Sequence, residues 1–462
     1  MLRKNAELGY YDVMKRSFIH SLYSWKNSPD RKPLIIRGAR QTGKTCILNE
    51  FGKEYFPHYH YFNFEKDGSL APLFDYDLNP KRILNELNFR LNNAIDLSQD
   101  LVIFDEIQAC PRALSSLKYF NEDLPELALC SAGSLLGIHL SDASFPVGKV
   151  DMLFMQPMSF IEFLEANGDE RYAHILQEFP KTPIPESVHD YLWAQLKIYF
   201  IIGGLPEVVK IYLARKENLY EALLAAREKQ EQLIIAYHAD MAKHSGKVNA
   251  MHLERIWNSI PTQLAQSQDG SAHKYRFKDV IPGASRYDRL ATSIDWLEAA
   301  GLTIKIPISK SGNLPFSAYV KENAFKLLCF DVGILGAISG LSPQVILDYD
   351  YGSYKGYFAE NFVAQELLIT RRKLYCWEEG ESEVEFLLEE RGNVIPIEVK
   401  SGWSTRAKSL QSFKEKYRPI YQIILSAKNF SFDKGRQIYY YPLYLSGHLP
   451  ALLSDTIHNT RV

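Results

Sequence analysis

The chain has 462 residues, too many for one ordinary core and enough for about three domains at ~150 residues each. A hydrophobic fraction of 46% is that of a soluble globular protein, and a net charge of -2 excludes a global field that recruits polyanions, so any nucleic-acid contact must come from a local patch. The five cysteines (Cys46, Cys110, Cys130, Cys329, Cys376) are scattered and show no C-x-x-C spacing, which argues against a zinc site and a disulfide framework and fits a reducing cytoplasm.

In chain order, the opening "MLRKNAELGYYDVMKRS" is basic but lacks the apolar core of a signal peptide. No uninterrupted apolar run approaches the ~20 residues that a spanning helix needs, so a cytoplasmic chain outside the membrane is expected. From "SPDRKP" to about residue 160, short apolar runs alternate with helical segments, the order of a parallel sheet with crossover helices. Residues 160 to 245 turn to helical periodicity, broken once by "IIGGLPE". Within "ATSIDWLEAAGLTIKIPISKSGNLPFSAYV" a helix ends at Gly301 and a strand and turn follow, the order of a winged helix. The segment 345 to 445 mixes a helix, three strands, a second helix and the strand "PIYQIILSA". The expectation is an α/β fold with domains at 1–165, 166–245 (a helical lid or bundle), 246–340 (winged-helix-like) and 341–462 (a C-terminal α/β domain).

"LIIRGARQTGKT" is an apolar strand running into G-x-x-x-x-G-K-T. Gly38, Ala39, Arg40, Gln41, Thr42, Gly43, Lys44, Thr45 and Cys46 then wrap a phosphate chain with backbone amides and a helix N-terminus. Lys44 reaches the terminal phosphates of ATP, and Thr45 ligates Mg2+. About sixty residues on, "LVIFDEIQ" supplies a buried strand ending in Asp105, which holds the magnesium shell, and Glu106, which polarises an attacking water. The plainer alternative is that these two acids cap a strand end. Ser134 in "LCSAGSLLG" is a candidate sensor of the γ-phosphate, and Lys149 a weaker candidate for a charge supplied in trans.

At this point the chain resembles a known family. "IIRGARQTGKT", "LVIFDEIQ", "AGSLLG", "MQPMSFIEFL", "FIIGGLPEVV" and "PIEVKSG" occur in the order found in bacterial and archaeal AAA+ ATPases that carry an uncharacterised C-terminal domain. The resemblance spans nearly the whole chain, and the extended P-loop with Arg37 and Arg40 is its most specific part. It implies an AAA-type ATPase core, a winged-helix segment and a C-terminal domain resembling the PD-(D/E)xK nuclease fold. That family usually has Arg where Lys149 stands and Asp where Glu385 stands, and Lys cannot make the planar bidentate contact of an arginine finger.

The nuclease-like reading takes Glu360 from the helix "GYFAENFVAQELL", Glu385 from "EVEFLL", and Glu398 with Lys400 from "IPIEVKS". Period-2 alternation puts Glu398 and Lys400 on one face, about 7 Å apart. Three carboxylates suit a second divalent cation, Mg2+ or Mn2+, with Glu385, Glu398 and Lys400 as catalytic candidates. Read alone, E-x-K is a surface salt bridge and Glu360 a solvated helix position. Two functions follow. One is an ATP-regulated enzyme that binds and cuts DNA or RNA; the other is an ATP-dependent switch whose C-terminal domain docks a protein partner without catalysis. A homo-oligomer fits either, because AAA-type sites often borrow a charge from a neighbouring subunit.

Overall fold

In a computed structural model, residues 14–133, 145–179, 184–265, 274–349, 352, 354–403 and 407–453 are described. The chain divides into two compact units, Met1–Gln156 with Ala299–Gly301, and Pro157–Glu298 with Leu302–Val462.

The first unit is built on five parallel strands: β1 (Leu34–Arg37), β2 (Tyr59–Asn63), β3 (Leu101–Asp105), β4 (Ala128–Ala132) and β5 (Asp151–Phe154). They lie in the order β2-β3-β4-β1-β5. Parallel strands need crossovers, and the helices Lys44–Tyr55, Pro80–Leu91 and Pro111–Asp123 supply them. Alternate residues feed two cores: Ile35, Val102, Phe104 and Leu129 pack on one face, while Leu34, Ile36, Ile103 and Cys130 pack on the other. With both faces covered, all five residues of β3 are buried, which explains why its sequence is a continuous apolar run.

The second unit opens with the helices Phe160–Asn167, Glu170–Glu178, Glu186–Ile202, Pro206–Leu213 and Leu219–Ser245, matching the helical texture expected there. The break falls at Gly203, whose φ is 68° and where a Cβ would lie 2.1 Å from Asp331 Oδ1. Left-handed backbone and lack of space both demand glycine.

An eight-stranded mixed sheet follows, with β6 (Thr303–Ser309), β7 (Val320–Cys329), β8 (Tyr375–Glu379), β9 (Ser382–Glu390), β10 (Asn393–Val399), β11 (Gln422–Ser426), β12 (Ser431–Asp433) and β13 (Ile438–Pro442). Its order is β12-β13-β11-β10-β9-β8-β6-β7. The antiparallel pair β6/β7, expected as the wing of a separate module, instead pairs in parallel with β8 through Ile308↔Cys376 and Ser309↔Trp377. The expected boundary at residue 340 therefore falls between strands of one sheet. β9 and β10 are joined by Arg391 and Gly392, at φ 49° and 79°. Both positive angles give the twist a two-residue hairpin favours. Among the described residues no helix is long and apolar enough to cross a membrane.

Candidate functional site

The loop from Gly38 to Gly43 joins the C-terminal end of β1 to the helix Lys44–Tyr55. Gly38 has φ 147°, and a Cβ there would lie 2.3 Å from the Met155 carbonyl oxygen, so the loop is seated against the end of β5 as only glycine allows. Gln41 also takes a left-handed angle, φ 64°, and Thr42 Oγ1 donates to the Ala39 carbonyl at 2.9 Å. Arg16 braces the loop from outside: its Nη1 donates to the Thr42 carbonyl and its Nη2 to the Gln156 carbonyl, both at 2.8 Å.

Lys44 is only 8% exposed, and its ammonium donates to the carbonyls of Gly38 and Ala39 at 2.9 and 2.7 Å. Burial lowers its pKa to about 8, against the pull of Glu106 and Asp105 in the other direction. A cation held by loop carbonyls, beside amides at a helix N-terminus, is poised to exchange those carbonyls for phosphate oxygens.

Asp105 ends β3, and β4 lies between it and β1. Its Oδ2 accepts from Thr45 Oγ1 at 2.8 Å, from Tyr61 Oη at 2.5 Å and from Asn63 Nδ2 at 3.4 Å, while Oδ1 accepts from the Glu106 amide at 3.0 Å. Tyr61 and Asn63 come from β2, brought alongside by the register Asn63↔Asp105. Burial, then the hydrogen bond to Asp105, pushes the Tyr61 hydroxyl up to about 12, so it stays a donor. Glu106 follows in left-handed backbone at φ 49°. Burial raises the Glu106 carboxyl above its usual range, with Gln108 Nε2 donating to it in opposition.

Hard oxygens from Thr45 and Asp105, 2.8 Å apart beside a buried lysine, fit a magnesium nucleotide. Of the remaining loop residues, Ala39 is buried and Cys46 exposed. Arg40 adds to the positive field felt by Lys44 and Glu106. Ser134 lies outside the described residues. Lys149 pairs with Glu122 at 3.0 Å, both part-exposed, an ordinary surface ion pair.

At the C-terminal cluster, Glu385 on β9 and Glu398 on β10 are buried, set side by side by the register that pairs Phe386 with Ile397. Lys400 Nζ lies 2.6 Å from Glu398 Oε1 and 4.0 Å from Glu385 Oε1. The Val399 amide donates to Glu385 Oε2 at 3.3 Å, and Glu398 Oε2 is buried with no hydrogen bond. Burial, then Glu398, pushes the Glu385 carboxyl well above its usual range. Glu360, in the helix Tyr354–Ile369, is not a solvated position: it is 1% exposed and accepts from Lys326 Nζ at 2.8 Å. Lys326 also pairs with Glu383. Among the described residues no three His, Cys, Asp or Glu side chains converge closely enough to hold a metal, so the expected set of Glu360, Glu385 and Glu398 does not assemble as one.

Residues 30–164 match the model of the AAA domain. The loop Gly38–Gly43, Lys44, Thr45, Asp105 and Glu106 all lie within that matched domain. Residues 194–345 and 355–445 match two domains of unknown function, DUF8612 and DUF4143. No curated protein matches the chain. Among solved structures, the chain is similar to the Walker-type ATPase PABY2304 of Pyrococcus abyssi, at 15% identity and TM-score 0.45 over 71% of this chain and 97% of that one. It is also similar to the Aeropyrum pernix ORC1 protein solved in complex with DNA, at 11% identity and TM-score 0.33 over 72% and 95%. A third is the Thermotoga maritima RuvB Holliday junction branch migration motor, at 15% identity and TM-score 0.31 over 64% and 90%.

Sequence reasoning missed Arg16, Tyr61, Asn63 and Lys326. Tyr61 and Asn63 carried only a partial signal, two polar groups at period 2 at the end of a strand, since the pairing of that strand with the one ending in Asp105 is set by the fold. Arg16 and Lys326 carried none, because each acts on residues far along the chain.

Proposed function

We propose that this protein binds Mg-ATP at Gly38–Thr45 and hydrolyses it. The Thr45–Asp105 hydrogen bond of 2.8 Å carries the reading, because it brings the loop and the acidic strand end together at the two groups a magnesium shell uses. Bound magnesium would neutralise charge on the β- and γ-phosphates. Lys44 would pair with the terminal phosphates once drawn off the Gly38 and Ala39 carbonyls. Glu106, its carboxyl raised by burial, would orient and deprotonate the attacking water. Tyr61 and Asn63 would keep Asp105 turned toward Thr45. The test is nucleotide affinity and phosphate release in wild type, Lys44→Ala and Glu106→Gln. Lys44→Ala should lose nucleotide, whereas Glu106→Gln should bind it normally and hydrolyse at least ~100-fold more slowly. Full turnover in Glu106→Gln would remove that residue from the mechanism, and a wild type that ignores ATP would sink the proposal.

For the second unit, the ion pair between Lys326 and Glu360 favours the non-catalytic docking module over a nuclease, since it engages one of the three carboxylates that cutting would require. Incubation of the full chain with supercoiled plasmid, single-stranded DNA and RNA, with Mg2+ or Mn2+ and with or without ATP, separates the two. No cutting is expected. Cleavage that disappears in Lys400→Ala would establish the nuclease instead.

A further inference from the structure

In the second unit, a groove of about 690 Å³ lies between the helix Lys247–Ala265 and the segment from Arg276 to Val280. Two periodicities make its walls. On the helix, Leu253, Ile256, Trp257, Ile260 and Leu264 are buried, which leaves Arg255, Asn258 and Thr262, at i, i+3 and i+7, to line the groove. On the segment, the rings of Tyr275 and Phe277 pack against Phe325 of β7, and the residues alternating with them, Arg276 and Lys278, line the opposite wall. The walls are fastened through the backbone. The Tyr275 amide donates to the Phe325 carbonyl at 2.8 Å, and Gln263 clamps Arg276, its Nε2 donating to the carbonyl at 2.9 Å and its Oε1 accepting from the amide at 2.8 Å.

Arg255, Arg276 and Lys278 bring three cations to this groove, and among the described residues none of them makes an ion pair. Other cations of the unit are engaged: Lys229 with Glu207, Lys305 with Asp295 and Lys310 with Glu378. Of the two acids in the lining, Glu254 reaches toward His238, 3.8 Å away, and Asp279 sits in left-handed backbone at φ 68°. Arg, Lys, Asn and Thr are the side chains that contact nucleic-acid phosphates, and all four types are present. Among the described residues no aromatic ring lines the groove, so unpaired bases have no surface on which to stack. We propose that the groove holds the phosphate backbone of a nucleic-acid duplex without reading its sequence. Its helical wall from Met251 to Gln263 runs ~18 Å, long enough for several successive phosphates of one strand. A chain of net charge -2 needs such a local patch to meet a polyanion. The proposal is independent of ATP hydrolysis and of the C-terminal carboxylates.

The experiment is fluorescence anisotropy of a short labelled DNA duplex of mixed sequence, titrated with the full chain in EDTA, without nucleotide, over a range of salt. Three neutralised phosphates predict a log–log slope of affinity against salt of about -2.7. Arg255→Gln, Arg276→Gln and Lys278→Gln change exposed side chains and should leave the thermal midpoint in place. Each should shrink the slope by about 0.9 and weaken binding roughly eightfold at ~0.1 M salt. Asp279→Asn removes an opposing charge, suits the same left-handed backbone and should tighten binding. A duplex of another sequence should bind equally, and the unpaired strand more weakly. The proposal is overturned by a duplex that stays unbound, by binding that ignores Arg276→Gln, Lys278→Gln and Asp279→Asn, or by tighter binding of the single strand. A groove for an acidic protein segment would instead hold labelled polyglutamate with the same dependence on these variants and leave the duplex free, which also overturns it.

Discussion

At the scale of single residues, Lys44 connects burial to function. Its pKa is lowered to about 8, chiefly by burial, so near neutral pH the free protein holds it charged against the Gly38 and Ala39 carbonyls. Phosphate oxygens favour the ammonium and raise its pKa when nucleotide binds, so binding takes up a proton wherever the free lysine is neutral. Nucleotide affinity should therefore be flat below pH 8 and fall as pH rises through it, approaching about tenfold per pH unit. Titration calorimetry across that range checks this, and Lys44→Arg, always charged, should bind with no such dependence. The phosphate-binding residues were legible in the sequence because glycine, lysine and threonine there act within a few positions of one another. Tyr61 and Asn63 were not singled out because they reach Asp105 sideways across a sheet, and the pairing of strands some forty residues apart is set by the fold.

At the scale of elements, the junction of the helices Glu186–Ile202 and Val332–Ile338 depends on one buried carboxylate. Asp331 Oδ2 accepts from the Gly204 amide at 2.7 Å, and Oδ1 accepts from the Ile334 amide at 3.0 Å as the cap of its own helix. Burial raises its pKa to about 6 although these amides work to lower it, so the group stays ionised near neutral pH only because both oxygens are satisfied. Asp331→Ala leaves two buried amides without acceptors and should cost roughly 2–4 kcal/mol of stability. A denaturant melt of the full chain would show it as a lower midpoint with an unchanged slope. Gly203→Ala meets the same carboxylate from the other side, 2.1 Å from Oδ1, and should destabilise for steric reasons that no pH change relieves. The sequence marks this place as a helix break through its Gly-Gly pair. It does not mark Asp331 as the cause, since nothing local ties residue 331 to residue 203.

At the scale of the whole molecule, the helix, three strands, second helix and following strand expected in the C-terminal segment occur in that order and are followed by β12 and β13, whereas the expected boundary at residue 340 falls inside one eight-stranded sheet. A hairpin read locally looks the same whether it forms a wing or the edge of a larger sheet, and only its pairing with β8 distinguishes the two. The buried face of the helix Tyr354–Ile369 shows how much that pairing matters. Asn361 exchanges hydrogen bonds with the Cys329 amide and carbonyl at 2.8 and 2.9 Å, Gln365 accepts from the Val332 amide at 3.0 Å and donates to Tyr199 Oη at 2.8 Å, and Glu366 accepts from the Phe160 amide at 2.9 Å. Every one of these partners lies before residue 340, as does Lys326. A fragment of residues 341–462 would bury Asn361, Gln365, Glu360 and Glu366 without them and leave β8 as an open edge, a combination of orphaned polar groups and unpaired strand that favours aggregation over folding. A fragment of residues 157–462 retains all of these contacts. The shorter fragment should show no cooperative thermal transition and the longer one a single transition by circular dichroism, and a cooperative transition in the shorter would mean that β6, β7 and Lys326 are dispensable to the C-terminal fold.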